Sequence, residues 1–195
     1  MRQQIIPPIL GHTESIVSAM KNVLLIGYRC TGKSSAGKGL AQKMGVPFFD
    51  TDELIVERAG ISIKEIVETG GWRLFREKEK EVVKGLPAME ESVIATGGGI
   101  FDDPINRAVL RKKGIFFWLT ADEETICERM VNDHRGEGFR PSLTHSDIRS
   151  DVIATLIKRE PIYRQMADFT VNTSEKAIKV VVDEIYELLK ERRKQ

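Results

Sequence analysis

Gly27-Tyr28-Arg29-Cys30-Thr31-Gly32-Lys33-Ser34 satisfies the phosphate-loop pattern G-x-x-x-x-G-K-[ST] at every fixed position. Its flanks decide what it is worth. Val23-Leu24-Leu25-Ile26 is a short apolar run of the kind that forms a buried parallel strand. On the other side Ala36, Leu40 and Met44 recur every fourth residue, as one helix face does, and Gly45 stands where a glycine ends a helix. Strand, glycine loop and helix together let backbone N–H groups and the helix N-terminus surround a phosphate. Lys33 then reaches the β and γ oxygens, and the Ser34 hydroxyl is a ligand for Mg²⁺. Gly27, Arg29, Thr31, Gly32, Lys33, Ser34 and Ser35 are the residues expected to line a nucleoside triphosphate.

The rest of the composition fits one α/β domain. The chain has 195 residues, 41% hydrophobic and 30% charged, enough for a sizeable core. Thirty basic residues nearly balance 29 acidic ones, so the basic excess of a nucleic-acid or membrane-surface binder is missing. No apolar run approaches the roughly 18–20 residues of a membrane span. The two cysteines, Cys30 in the loop and Cys127 in an expected helix, do not suggest a disulfide, and a reducing, cytoplasmic setting is expected. Cys30 beside Arg29 and Lys33 could carry a reactive thiolate, though a small filler residue explains it more simply. Residues 1–20 read as an extension ahead of a single domain spanning 21–195.

Further strands are expected at Val46–Phe49, Ser92–Ala95, Ile115–Leu119 and Phe169–Asn172, alternating with helices. The fold class is therefore α/β, with a five-stranded parallel sheet covered by helices on both faces. Asp50-Thr51-Asp52 follows the second strand, at the carboxyl edge where ligands sit in open parallel sheets. Thr51 or Asp52 could merely cap the helix Glu53–Ala59. Two carboxylates one strand from a phosphate loop suggest more.

Residues 53–86 are helical without a strand of their own and read as a substrate-binding insertion, with a break at Gly70-Gly71. Thr96-Gly97-Gly98-Gly99 ends the third strand. Three successive glycines suit a place where a ligand approaches the backbone or φ is positive. Asp103 with Pro104 opens a helix, and Thr120–Glu123 reads as a capping box for the next. Residues 131–145 are polar, aperiodic and carry Arg135 and Arg140, as a mobile lid over phosphates would. A long helix follows from Ser146, which Pro161 is expected to end or kink.

A regulatory GTPase would need N-K-x-D, which the chain lacks. An AAA or motor ATPase needs partner-domain machinery that is not here. An acidic pair, a glycine triplet and an arginine lid around a phosphate loop favour a small-molecule kinase.

Several separated motifs resemble those of the shikimate kinases. Besides the loop, these are Phe49-Asp50-Thr51-Asp52, Phe75-Arg76-x-x-Glu79, Ala95-Thr96-Gly97-Gly98-Gly99, Arg140-Pro141-x-Leu143 and Arg159-x-Pro161-x-Tyr163-Arg164. The likeness runs from Lys21 to the final helix. It implies a monomeric P-loop kinase fold and transfer of the ATP γ-phosphate to the 3-hydroxyl of shikimate, in aromatic amino-acid biosynthesis. It implies that Arg76 and Arg164 bind the shikimate carboxylate, that Gly97, Gly98 and Gly99 line the substrate, and that Asp52 holds the accepting hydroxyl as base or orienter. Ser34 and Asp50 would hold Mg²⁺, while Lys33 and Arg140 would neutralise the transferring group. Arg135 is the one candidate for a second lid arginine that meets adenine. Cys30 departs from the glycine or alanine common at its position. The competing readings are a gluconate-type kinase on the same scaffold and a non-catalytic nucleotide-binding regulator.

Overall fold

The computed structural model describes residues 22–86, 91–132 and 148–192. Its elements are β1 (Asn22–Ile26), α1 (Lys33–Met44), β2 (Phe48–Asp50), α2 (Thr51–Ala59), α3 (Ile63–Gly85), β3 (Val93–Ala95), a 3-10 turn (Ile100–Asp102), α4 (Pro104–Arg111), β4 (Gly114–Thr120), α5 (Glu123–Val131), α6 (Ile148–Met166), β5 (Phe169–Asn172) and α7 (Ile178–Arg192). The strands form one sheet in the order β2-β3-β1-β4-β5. Every neighbouring pair is parallel.

Alternate residues of β1 enter different cores. Leu24 and Ile26 pack with Ile55, Phe75, Phe101, Phe116 and Tyr163 on the face covered by α2, α3, α4 and α6. Val23 and Leu25 pack with Leu40, Phe117, Val171, Val182 and Ile185 on the face covered by α1 and α7. All five residues of β1 are buried and Val23–Ile26 are apolar on both faces, so this run of the central strand shows no alternation. Among the described residues no helix is long and apolar enough to cross a membrane.

Three local expectations change and one holds. Asp50, not Thr51 or Asp52, caps α2: its Oδ1 accepts from the Asp52 amide at 3.0 Å. Asp122, not Thr120, caps α5 by accepting from the Thr125 amide at 2.7 Å, because Thr120 is still the last residue of β4. The break expected at Gly70-Gly71 is present: Gly71, at φ 67° and ψ −177°, is non-helical and divides α3 into two helical stretches. Pro161 lies inside α6 without ending it. The amide it lacks would have bonded the Ile157 carbonyl, and Ile157 is 72% exposed, so that carbonyl can turn to water. The N-terminal extension and most of the expected lid, with Arg135 and Arg140, lie outside the described residues.

Candidate active site

The phosphate loop bridges β1 and the start of α1. Lys33 is 8% exposed and folds back so that Nζ donates to the Tyr28 carbonyl at 2.5 Å. The Thr31 hydroxyl donates to the same carbonyl at 2.8 Å. Ser34, in the first turn of α1, donates from Oγ to Asp50 Oδ2 at 2.6 Å. Asp50 thus caps α2 with one oxygen and meets Ser34 with the other. Two hard oxygens beside a phosphate loop form a donor set suited to Mg²⁺. Ser35 is exposed on the outer side of the same turn, and Arg29 is half-buried beside Tyr28.

A second layer holds the loop from below. Arg129, in the last turn of α5, donates from Nη1 to the Cys30 carbonyl at 3.2 Å and from Nη2 to the Thr173 carbonyl at 2.7 Å. The Thr173 hydroxyl bonds the Thr31 and Thr120 carbonyls at 3.2 and 3.0 Å. Arg129 belongs to no sequence motif. Its one signal was a basic residue ending a helix that runs toward the arginine-bearing segment. Cys30 sits in this tether at φ 60°, a left-handed conformation that favours glycine.

Next to the loop opens a small cleft, bordered on the loop side by Tyr28, Arg29 and Asp52. One wall is a single face of α3. Trp72, Phe75, Arg76 and Glu79 line it at helical spacing. The Trp72 and Phe75 rings meet edge to face with centroids 5.6 Å apart. Arg76 Nη1 donates to both Glu79 oxygens, at 2.8 and 2.7 Å. Glu79 is 1% exposed, and that burial raises its pKa although Arg76 works in the other direction.

The glycine triplet forms the floor. None of Gly97, Gly98 and Gly99 has a positive φ, so close approach, not backbone handedness, explains them. A Cβ on Gly97 would stand 2.8 Å from Asp52 Oδ1 and 3.3 Å from Glu79 Oε1. On Gly98 it would stand 3.4 Å from the Gly27 carbonyl oxygen, which brings the triplet against the phosphate loop. On Gly99 it would collide with Arg76 Nη2 and stand 2.7 Å from Arg159 Nη2. The Gly97 amide donates to Thr51 Oγ1 at 2.7 Å, and the buried Tyr163 hydroxyl donates to the Gly98 carbonyl at 2.5 Å.

Arg159 supplies the back of the cleft. Its Nε and Nη2 donate to the two oxygens of Asp102 at 3.1 and 2.8 Å. Burial works against its charge, but the Asp102 hydrogen bond and nearby anionic oxygens outweigh that, leaving its pKa above the usual value. Arg164, expected here, is not in this cleft. It is exposed, with its guanidinium carbon 5.6 Å from the Trp118 ring, and borders an outer groove with Ile157, Glu160 and Pro161. The reason is the uninterrupted α6. Arg159 and Tyr163 are one turn apart and share the inward face, whereas Arg164 is turned well around the helix.

The site therefore joins a triphosphate cradle and a metal-suited oxygen pair to a small cleft. That cleft has a buried carboxylate at one end, Asp52, and two guanidinium groups converging at the other. A family model described as shikimate kinase matches residues 29–190. The chain is 41% identical to the shikimate kinase of Geobacter sulfurreducens over 177 residues, 91% of this chain and 95% of that protein. It is likewise 41% identical over 173 residues to that of Syntrophus aciditrophicus, 85% of this chain and 89% of that protein. Among solved structures, a shikimate kinase from Acinetobacter baumannii in complex with shikimate superposes with a TM-score of 0.85 at 29% identity, covering 92% of this chain and 98% of that one. A shikimate kinase from Aquifex aeolicus gives 0.71 at 31% identity, with 88% and 98% covered. The chain belongs to the shikimate kinase family.

Proposed function

We propose that this chain, an ATP-dependent kinase by its family, transfers the γ-phosphoryl group of ATP to the 3-hydroxyl of shikimate, giving shikimate 3-phosphate for aromatic amino-acid synthesis. One observation carries the acceptor assignment. Arg76 and Arg159 converge on Gly99, across a small cleft from the buried carboxylate of Asp52. A guanidinium pair suits a ring carboxylate, since each fork matches its planar geometry. An aspartate at the far end suits a hydroxyl. Gluconate has no ring and no need of a rigid floor between the two.

In this reading Asp52 orients the acceptor hydroxyl and takes its proton as the new O–P bond forms. Lys33 carries positive charge at the loop mouth, where the transferring oxygens lie. Ser34 and Asp50 are the residues that would hold Mg²⁺, whose charge offsets that of the triphosphate. Arg140, beyond the described residues, is assigned to the transferring group, and Arg76 with Arg159 to the acceptor carboxylate. Gly97, Gly98 and Gly99 admit the ring close to the backbone. Positioning and electrostatics do most of the work in such a transfer. The enzyme is read as monomeric and cytoplasmic, without nucleic-acid or membrane partners.

A coupled assay of ADP release with Mg·ATP tests this, with shikimate and gluconate supplied in turn. Turnover that depends on shikimate is expected. Turnover that depends on gluconate and ignores shikimate overturns the reading. Asp52→Asn is expected to lower kcat by about 10²–10³, the scale of one lost charge-assisted contact at a transition state, with ATP affinity nearly unchanged.

A further inference from the structure

In the sequence Asp103 reads as a helix cap, and Asp102 beside it carries no motif. The structure separates the two neighbours. Asp103 Oδ1 accepts from the Ile105 amide at 2.7 Å, and its other oxygen pairs with Lys80 at 2.6 Å. Asp102 turns the other way and takes both Nε and Nη2 of Arg159. Its side chain is 26% exposed and that of Arg159 is 10% exposed, so the pair is largely withdrawn from water.

Asp102 closes the 3-10 turn that begins directly after the triplet, and its amide bonds the Gly99 carbonyl at 3.0 Å. The carboxylate that grips Arg159 is therefore built on the segment that forms the cleft floor. Arg159 itself arrives from α6, a separate element. Its Nη1 faces Gly98 and its Nη2 overlies Gly99. On the other side Glu79 grips Arg76 through Nη1 and leaves Nη2 over the same glycine. Each guanidinium thus has its own carboxylate on one side and the glycine floor on the other.

We propose that Asp102 is a positioning residue for acceptor recognition: it fixes the Arg159 guanidinium to the glycine floor, so that a carboxylate on the acceptor ring meets a pre-oriented fork. This rests on the assignment of Arg159 to the acceptor carboxylate. A bidentate carboxylate restricts rotation of a guanidinium on a long side chain. Ordering that would otherwise be lost on binding is then already in place. A counter-ion that only ties α6 to the turn would instead affect stability, and would affect every ligand alike.

The test compares the native protein with Asp102→Asn, an isosteric change, using shikimate and its analogue in which the carboxylate is reduced to hydroxymethyl. KM and kcat are measured for each at saturating ATP, with thermal melting recorded alongside. Asp102→Asn is expected to raise the KM for shikimate by about tenfold or more, on the scale of one charge-assisted hydrogen bond. The KM for the hydroxymethyl analogue, the KM for ATP and kcat are expected to stay within about twofold. Asp102→Glu, which restores a carboxylate, is expected to recover part of the shikimate KM. Asp102→Ser repeats the comparison with a smaller polar side chain, so a folding defect in one variant does not decide the outcome. Equal losses for shikimate and analogue, or an unchanged shikimate KM, overturn the inference. A native protein that does not prefer shikimate to the analogue overturns the carboxylate assignment, and the inference with it. If the native preference exists and survives in the variants, the assignment stands and only the role of Asp102 falls.

Discussion

Ser34 Oγ lies 2.6 Å from Asp50 Oδ2, joining the first turn of α1 to the end of β2. The same carboxylate caps α2 through its other oxygen. One side chain therefore anchors a helix and shapes the oxygen pair beside the phosphate loop. This double use makes the capping role and the metal-holding role proposed for Asp50 compatible, where the sequence Asp50-Thr51-Asp52 set cap and site against each other.

Asp50→Asn keeps an oxygen for the cap and removes the charge facing Ser34. It is expected to raise the Mg²⁺ concentration for half-maximal activity by about tenfold or more, a loss of about 1.4 kcal/mol in metal binding. Asp50→Ala is expected to share that defect and also to lose about 1 kcal/mol of stability with the cap. Magnesium titrations of activity, paired with denaturant melts, separate the two effects.

Arg159→Ala is expected to weaken shikimate binding about 10- to 100-fold, the range for a lost hydrogen bond to a charged group. Arg164→Ala, on the outer side of the same helix, is expected to stay within about twofold of the native protein. Calorimetric titration with shikimate in the absence of nucleotide decides between them. The opposite pattern would return the carboxylate to Arg164.

Burial raises the pKa of Glu79 above the ordinary glutamate value, with Arg76 opposing. Its charged form is therefore a cost to the fold, one that shrinks as pH falls and the group takes up a proton. The fold gains from that protonation, but the grip on Arg76 weakens. Shikimate KM is thus expected to rise on the acid side beginning above the usual glutamate range, while the melting temperature shows no matching loss. Glu79→Gln is expected to remove this acid limb and leave a high KM at all pH values. A KM profile flat down to pH of about 4.3, the unperturbed glutamate value, would show that Glu79 does not govern the clamp.

Cys30 holds a left-handed backbone at φ 60°. Cys30→Gly is expected to stabilise the protein by about 1 kcal/mol, relief of left-handed strain being partly offset by the freer unfolded chain. The bond from Arg129 reaches the Cys30 carbonyl, so the substitution keeps the tether. Denaturant melts measure the gain. A loss of stability would mean that the thiol's own contacts outweigh the strain.

Much of the fold was legible because its strands are buried on both sides. Short apolar runs such as Val23–Ile26 and Ile115–Leu119 have few other uses in a chain this charged, and the observed strands agree with them to within a residue or two. The phosphate loop and the triplet were legible because glycine at those spacings has a steric purpose. Arg159 was not, because Arg159 and Arg164 differ only in rotation about one helix. Whether Pro161 interrupts that helix depends on its exposed surface, which a single sequence does not reveal. Arg129 and Asp102 escaped for a related reason: their partners are backbone carbonyls and a guanidinium that tertiary structure alone brings near.

The phosphate loop leaves β1 and the glycine triplet leaves β3, and these strands are paired in register from Val23 with Val93 to Leu25 with Ala95. In the proposed function, phosphoryl donor and acceptor sit like two prongs of one fork rooted on these neighbouring strands, whose backbones lie about 4.8 Å apart. In that reading, side chains on α3 and α6 select the molecule on the second prong. They do not set how far the phosphorus must travel. Descendants of such a sheet could exchange one acceptor for another by rewriting two helices, while the path of the transferred group stayed as the backbone drew it.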